Sequence, residues 1–556
     1  MSAAGGDSAA GEDRFEGLLP TVLFAAAAVA SGVLLVALGS RIGFSIDHWD
    51  VLLHRRGFSA DVIFDPANEH PVIAPMLIFK VILGVFGMDS LTPFQLASTA
   101  TFLGSAALLF VYVRRRVGDW GALVATLPIL FLGAAADDLL LAFQIGFFGS
   151  MALGIAMLLA LEREDRRADL VACALLVGSL CFSSLGIPFA IGAAVRIATR
   201  PEPVRRIFVI AVPLALYATW WLGWGHTADS AISFQNLVDS PGYVVDGFAS
   251  SITALLGLAA FGGDGEIDSL TMGRVLLVLA VIAAALRLRS LPRVPAWLWV
   301  SLSIALAFWF LAALNAIPLR EPTSSRYQYI GAVFIVMIAA DLFRGARAGR
   351  EAIAVLLTVA VVSVVGNVKA LADAYREQLD FAVVSEGALG GIELAAERVD
   401  PAFTLGAENS GYESLGILDA GSYLSAVSAF GSPAYSAEEL PAAPEEARVA
   451  ADRVLGSIPG LALQPLGREV TASCEPTPVE GTRTFEDLPA GGVVLESHSG
   501  DDVDVRLRRF ATESFPIELG PLTPRRVYEL ELPSDRSGEP WELELTGAGS
   551  VRACRR

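Results

Sequence analysis

"LLPTVLFAAAAVASGVLLVALGSRIGFSIDHWDVLLHRRG" (residues 18–57) joins two unlike textures. Residues 18–40 carry no charged side chain and are long enough to cross a hydrocarbon core about 30 Å thick. The stretch that follows, "SIDHWDVLLHRRG" (45–57), gathers Asp47, His48, Trp49, Asp50 and His54. A little further on, "DPANEHP" adds Asp65, Glu69 and His70, so three of the five histidines fall between positions 48 and 70. An apolar span that opens directly onto a dense ionisable segment is the pattern of a membrane protein with chemistry at its surface.

Composition extends this reading to the whole chain. The 556 residues are 54% hydrophobic and only 18% charged, with a mean hydropathy of +0.56. Apolar runs of spanning length recur from residue 18 to residue 370, which predicts a polytopic α-helical membrane protein. The segment before them, "MSAAGGDSAAGEDRFEG", is acidic and lacks a basic leader, so residues 18–40 read as a retained first helix and not a cleaved signal. Beyond residue 370 no run is apolar enough to span. Residues 371–556 hold 32 Asp and Glu against 15 Arg, which accounts for −17 of the formal −19. An acidic soluble region of this kind speaks against nucleic acid as a partner, because phosphates need a basic surface.

Arginines cluster between the apolar runs, at 114–116, 163–167, 200–206, 287–293 and 344–350. The positive-inside rule puts all of them in the cytoplasm. About eleven spans satisfy them together: 18–40, 94–113, 119–136, 143–161, 168–183, 186–199, 205–224, 271–287, 296–314, 327–343 and 351–370. The N-terminal tail (1–17) is then cytoplasmic and the C-terminal region extracytoplasmic, in a multi-pass plasma (inner) membrane protein. "VIAPMLIFKVILGVFG" (72–87) and residues 243–261, which precede "GGDGEID", are left out as interfacial or re-entrant helices, since counting either would invert the arginines after it. The first external loop runs from about 41 to 93.

The soluble region divides in two. Residues 371–467 have helical texture. From 468 to 556 the pattern alternates with period two, as in "DVDVRLRRF", "RVYELELP" and "WELELTG", with Gly, Pro and Asp turns between, which predicts a small antiparallel β-sandwich. Cys474 and Cys554 bracket it and can form one disulfide in an oxidising compartment. Cys173 and Cys181 lie in an apolar run and read as buried thiols.

Four groups of residues can carry chemistry. Asp47 and Asp50 are three apart and would share one face of a helical turn; such a pair can hold a divalent cation or supply a general base, with His48, His54, Glu69 and His70 nearby to complete the site. A solvated loop is the bland alternative. Asp137 and Asp138 form a second acidic pair at the end of the third span, where ionisable groups are costly. Gln144 follows just inside the fourth. Arg320, Arg326 and Tyr327 stand in the external loop before the tenth span, against the positive-inside trend, and guanidinium groups of that kind bind phosphate bidentately. Their alternative is pairing with Glu321 or with lipid phosphates. There is no Walker-type loop, GxGxxG fingerprint, CxxC pair or nucleophile elbow.

Taken together, "HWDVLLHRRG…NEHPVIAPMLIFK", "DDLLLAFQIGFFGSMALG", "SSLGIPFA" and "SSRYQY" resemble GT-C glycosyltransferases, in particular actinobacterial GT-C-like membrane proteins, over about residues 1–370. The resemblance implies a lipid-linked sugar donor, typically a polyprenyl monophosphate sugar, and transfer on the outer face to an envelope glycan or an exported protein. It implies that Asp47 or Asp50 is the catalytic carboxylate and that Arg320 or Arg326 holds the phosphate leaving group. Some members carry an adjacent acidic pair in the first loop. Here the neighbour of Asp47 is His48, which leaves open whether Asp50 takes that place and whether Mg2+ or Mn2+ is held at all, with Asp47, Asp50 and His70 as its ligands. A non-catalytic GT-C-like scaffold or envelope-assembly protein is the alternative. A transporter is disfavoured, because no inverted repeat is visible.

Overall fold

The computed structural model describes residues 6–259, 268–318, 320–346, 348–466, 474–498 and 500–555. The "GGDGEID" stretch up to residue 267, Arg347 and the first residues expected in the C-terminal β-region lie outside them.

The helices run in chain order as α1 (Gly6–Gly39), α2 (Ile46–Trp49), α3 (Ala60–Phe64), α4 (Ile73–Phe86), α5 (Thr92–Val117), α6 (Asp119–Leu130), α7 (Ala136–Leu140), α8 (Ile145–Ala160), α9 (Arg166–Phe182), α10 (Gly186–Ala198), α11 (Pro203–Arg206), α12 (Phe208–Gly223), α13 (Phe234–Leu255), α14 (Ser269–Arg289), α15 (Ala296–Leu314), α16 (Ser325–Leu342) and α17 (Arg350–Leu394). Three more follow, α18 (Ala407–Ser410), α19 (Ala420–Phe430) and α20 (Glu445–Ser457), and then seven strands. The chain divides into two compact units. One takes residues up to 40, 57–82 and 91–377; the other takes 41–56, 83–90 and 378–556. Two pieces of the stretch expected as the first external loop therefore group with the C-terminal region, a division that no linear boundary near residue 370 describes.

In the larger unit, local chemistry sets many helix ends. Arg114, Arg115 and Arg116 fill the last turn of α5, where cations suit the helix dipole, and Gly118 stops it at φ 85°. The side chains of Asp165 and Ser233 accept the first free N–H groups of α9 and α13. Among the described residues, six helices are long and apolar enough to cross a membrane: 18–39, α5, 142–160, α14, α15 and α17. A seventh is gained if α6 and the segment 133–140, bent by 45°, count as one. The measure does not reach the eleven expected. α10 and α12 are apolar but short, and neither α9 nor α16 meets it. α13 is a helix of 22 residues, packed on α14, α15 and α16. Cys173 and Cys181, expected to be buried, are half-exposed on α9.

The break between α6 and α7 is built from a close approach. A Cβ on Gly133 would overlap the backbone of α17 at Asn367. Asn367 accepts from the Ala134 N–H at 3.3 Å and donates to the carbonyl of Ala254 at 2.9 Å. The core beside the break is aromatic: Phe102, Phe148 and Tyr329 meet with centroids 5.0–5.7 Å apart, and the Tyr329 hydroxyl donates to Ser105 Oγ at 2.7 Å.

At the other end of α5 lies a fully buried ionic network. Arg116 pairs with Asp341 of α16, and neither side chain has any exposure. Arg116 also reaches Glu162 at 2.9 Å, and the Tyr112 hydroxyl donates to Asp341 at 2.8 Å. Buried charges are tolerated when each is paired and hydrogen-bonded in this way.

In the smaller unit, strands β1 (Gln464–Leu466), β2 (Thr477–Leu488), β3 (Gly491–Ser497), β4 (Val503–Arg508), β5 (Ile517–Leu522), β6 (Val527–Leu532) and β7 (Trp541–Arg555) are all antiparallel. They form one hydrogen-bonded sheet of order β1-β6-β3-β7-β4-β5, with β2 on the other edge of β7. All seven strands are linked in this one network, in two arms that share the β2–β7 ribbon. β4 pairs with the first part of β7 (542–546) and β3 with the last (551–555). Gly481, at φ 80°, faces Gly547 across the ribbon between the two arms. Cys474 and Cys554 are joined in a disulfide, Cα atoms 5.9 Å apart. The Asp452 carboxylate of α20 accepts the backbone N–H groups of Arg509, Phe510 and Ala511 at 2.9–3.1 Å, fixing the loop after β4.

The buried network makes a stability prediction. Asp341→Asn should destabilise the detergent-solubilised protein by about 3–5 kcal/mol, because it strands a buried guanidinium. The double variant Arg116→Met, Asp341→Leu should recover most of that loss. Thermal unfolding of the two variants, measured against wild type, checks the order.

Candidate functional site

The residues singled out in the sequence fall into two groups, one in each unit. In the smaller unit, Ser45 starts α2 and His48 is its third helical residue. The Ser45 backbone N–H donates to His48 Nδ1 at 3.0 Å, and the Ser45 hydroxyl lies 2.7 Å from the same nitrogen. This is a capping box with histidine in the place usually taken by Glu or Gln. Because Nδ1 accepts, the ring proton is assigned to Nε2. The ring is fully buried, which pushes its pKa down to about 3 and keeps it neutral.

After α2 the chain widens into a π-helical turn, Asp50–His54. Asp50 accepts from Arg55 Nε at 2.6 Å. His54 stands 3.7 Å from Asp50 on one side and 3.9 Å from Asp419 on the other. Asp419 in turn caps α19 through the Ser422 N–H. Arg56 donates to Ser425 Oγ at 2.8 Å and to the Ser422 carbonyl at 2.7 Å, and Trp49 packs edge-on against Tyr423. Much of this segment's polarity is therefore spent seating it on α19, more than 360 residues later in sequence. Asp47, half-buried in the first turn of α2, belongs to the same segment.

In the larger unit, Ala67 and His70 exchange backbone hydrogen bonds around a tight turn with Asn68 at φ 51°. The turn presents Glu69, which pairs with Arg320, while Arg320 also reaches Asn68 at 3.4 Å. The Tyr243 hydroxyl donates to the Arg320 carbonyl at 2.7 Å. His70 Nδ1 contacts Ser184 Oγ, and its ring meets Phe147 edge-on. Burial pushes the His70 imidazole down to about 4; Glu69 pulls it up, and Arg320 and Arg326 push it further down.

Arg326 occupies the first turn of α16 and is half-exposed. Among the described residues it has no ion-pair or hydrogen-bond partner, yet it acts electrostatically on His70, Asp137, Asp138 and Tyr327. Asp138 is fully buried, and its two oxygens have no hydrogen-bond partner among the described residues. The Asp137 N–H donates to Ser325 Oγ at 3.1 Å. Tyr327 packs edge-on against Trp309, and Gln144 is buried at the end of a short turn before α8. Arg320 also lines a cavity of about 290 Å3 with Asn236, Asp239, Tyr243, Glu321 and Pro322.

Among the described residues, no three His, Cys, Asp or Glu side chains are grouped to hold a metal ion. Asp50 is engaged by Arg55, and His70 Nδ1 faces Ser184. Sequence reasoning did not single out Asn68, Ser184 or Tyr243. Only the quoted "SSLG" and "NEHP" motifs touched two of them, and the α13 tyrosine carried no signal.

The cap makes a prediction. His48 has a folded pKa far below its ordinary 6.5, so its contribution to stability is present above about pH 6.5 and is lost as pH falls from there toward about 3. His48→Gln keeps the capping geometry and removes the titration. Its thermal stability should fall less steeply than that of wild type between pH 6.5 and 4, measured in the same detergent.

No family model and no curated protein matches the chain. Among the solved structures that resemble it are two glycan- or lipid-related proteins by their names. ArnT from Cupriavidus metallidurans, bound to undecaprenyl phosphate, is 12% identical with a TM-score of 0.40, over 69% of this chain and 82% of that one. The arabinofuranosyltransferase AftD from Mycobacteria is 12% identical with a TM-score of 0.37, over 96% of this chain and 62% of that one.

Proposed function

We propose that the chain is an integral membrane glycosyltransferase that moves a sugar from a polyprenyl-phosphate donor to an envelope glycan or exported acceptor on the outer face. The observation that carries the reading is Arg326. A guanidinium without a partner among the described residues, beside the Arg320–Glu69 pair and a buried carboxyl, suits an incoming phosphate. The cavity beside Arg320, with the Tyr243 ring and the carboxylates of Asp239 and Glu321, has the chemistry to receive sugar hydroxyls.

In this scheme Asp47 accepts the proton of the acceptor hydroxyl, and the oxygen attacks the anomeric carbon. The bond from that carbon to the phosphate oxygen breaks, and the polyprenyl phosphate is the leaving group. Asp50, which pairs with Arg55 at 2.6 Å, is the alternative for that role. No metal step is included. The arginine clusters favour a cytoplasmic N-terminus and an extracytoplasmic C-terminal region, with the short helices α10 and α12 and the more polar α9 and α16 among about eleven crossings.

The engagement of His48 in a cap and of Asp50 with Arg55 favours a second reading, in which the first loop only seats the C-terminal region and the protein is a non-catalytic scaffold.

Purified protein supplied with a polyprenyl-phosphate sugar separates the two. Asp47→Asn should lower turnover by about 10²–10⁴-fold with unchanged thermal stability. Full transfer by Asp47→Asn would pass that role to Asp50, and no transfer by the wild type would leave the scaffold reading. Arg326→Gln should weaken donor binding by about 10–100-fold, as expected for lost charge-assisted hydrogen bonds, and unchanged donor affinity would remove Arg326 from the site.

A further inference from the structure

At the end of the larger unit where α5, α10 and α16 finish and α15 begins, arginines meet an apolar surface. Most of these arginines are spent. Arg200 donates to the carbonyls of Leu161 and Arg163 and lies 3.7 Å from Asp169. Arg206 pairs with Asp169 at 3.1 Å. Arg116 is consumed by Asp341 and Glu162.

Arg196, in the last turn of α10, is not. Its guanidinium lies over the Trp297 ring, 4.7 Å from the centroid, and Arg116 covers the same ring at 5.2 Å. Stacking fixes the plane of a guanidinium without using its N–H donors. Among the described residues Arg196 makes no ion pair or side-chain hydrogen bond, and its Nε is buried without a partner. Arg344 is exposed and also unpaired among them. The turn that carries it is tied to this corner, because the Gly345 N–H donates to the Arg116 carbonyl at 2.9 Å. Arg200, Arg206, Arg344 and Glu164 all act electrostatically on Arg196, so three further cations face it against one exposed carboxylate. Exposed apolar side chains lie on the same elements: Ile191, Val294, Trp299 and Phe343.

We infer that this corner is a binding site for the phosphate of an anionic phospholipid, with Arg196 and Arg344 as its ligands and the flanking apolar side chains against the acyl chains. Free phosphate shares the headgroup chemistry but would gain nothing from that apolar rim. The inference is independent of the proposed glycosyl transfer.

The test uses the full chain in detergent, titrated with phosphatidylglycerol, phosphatidylcholine or sodium phosphate and read by native mass spectrometry and thermal shift. Phosphatidylglycerol should be retained and stabilising in preference to phosphatidylcholine. Arg196→Gln and Arg344→Gln should each weaken it by about fivefold, and Arg196→Lys by less. Arg205→Gln, which removes a surface charge paired with Glu202, should leave it unchanged. Equal retention of the two lipids, or an equal loss in Arg205→Gln, overturns the site. Displacement of phosphatidylglycerol by millimolar phosphate overturns the lipid assignment.

Discussion

A guanidinium without solvent is the constraint around which the larger unit is organised. Arg116 is held at the end of α5 with no exposure, so its charge must be met by protein. Asp341 comes from α16, Glu162 from the turn after α8, and the Trp297 face from the start of α15. Each partner is on a different element, and each is satisfied only when those elements sit in register. Apolar helices in lipid gain little from burying one another, so such directional contacts set register where hydrophobicity cannot.

The smaller unit uses the same principle. Its sheet is drawn together by the β2–β7 ribbon and the Cys474–Cys554 disulfide, and Asp452 binds the loop after β4 to α20. Segment 41–56 enters through Trp49, Arg56 and the His54–Asp419 approach. A dense run of ionisable residues after a span thus has two uses that local sequence cannot separate. His48 and Arg56 hold structure, while Asp47 and Asp50 are the carboxylates of the proposed chemistry.

The same sorting applies to the arginines. In sequence Arg320 and Arg326 look alike, as do Arg196 and Arg200. In three dimensions Arg320 is paired with Glu69 and Arg200 is spent on carbonyls, while Arg326 and Arg196 keep their donors among the described residues. Pairing decides which cation is available for an anion, and the partners lie tens to hundreds of residues away.

The sequence by itself determined the membrane class and the acidic C-terminal region with its strands. These follow from composition and from periods of 2 and 3.6 residues, which are properties of short windows. Only the tertiary structure decided that 41–56 belongs with the C-terminal unit, that the strands make one bent sheet, and that His48 is a cap. The first two depend on contacts between residues far apart in the chain; the cap is local, but histidine at its third position carries no usual capping signal. Local pattern does not encode such contacts, because their free energy exists only once both partners are folded.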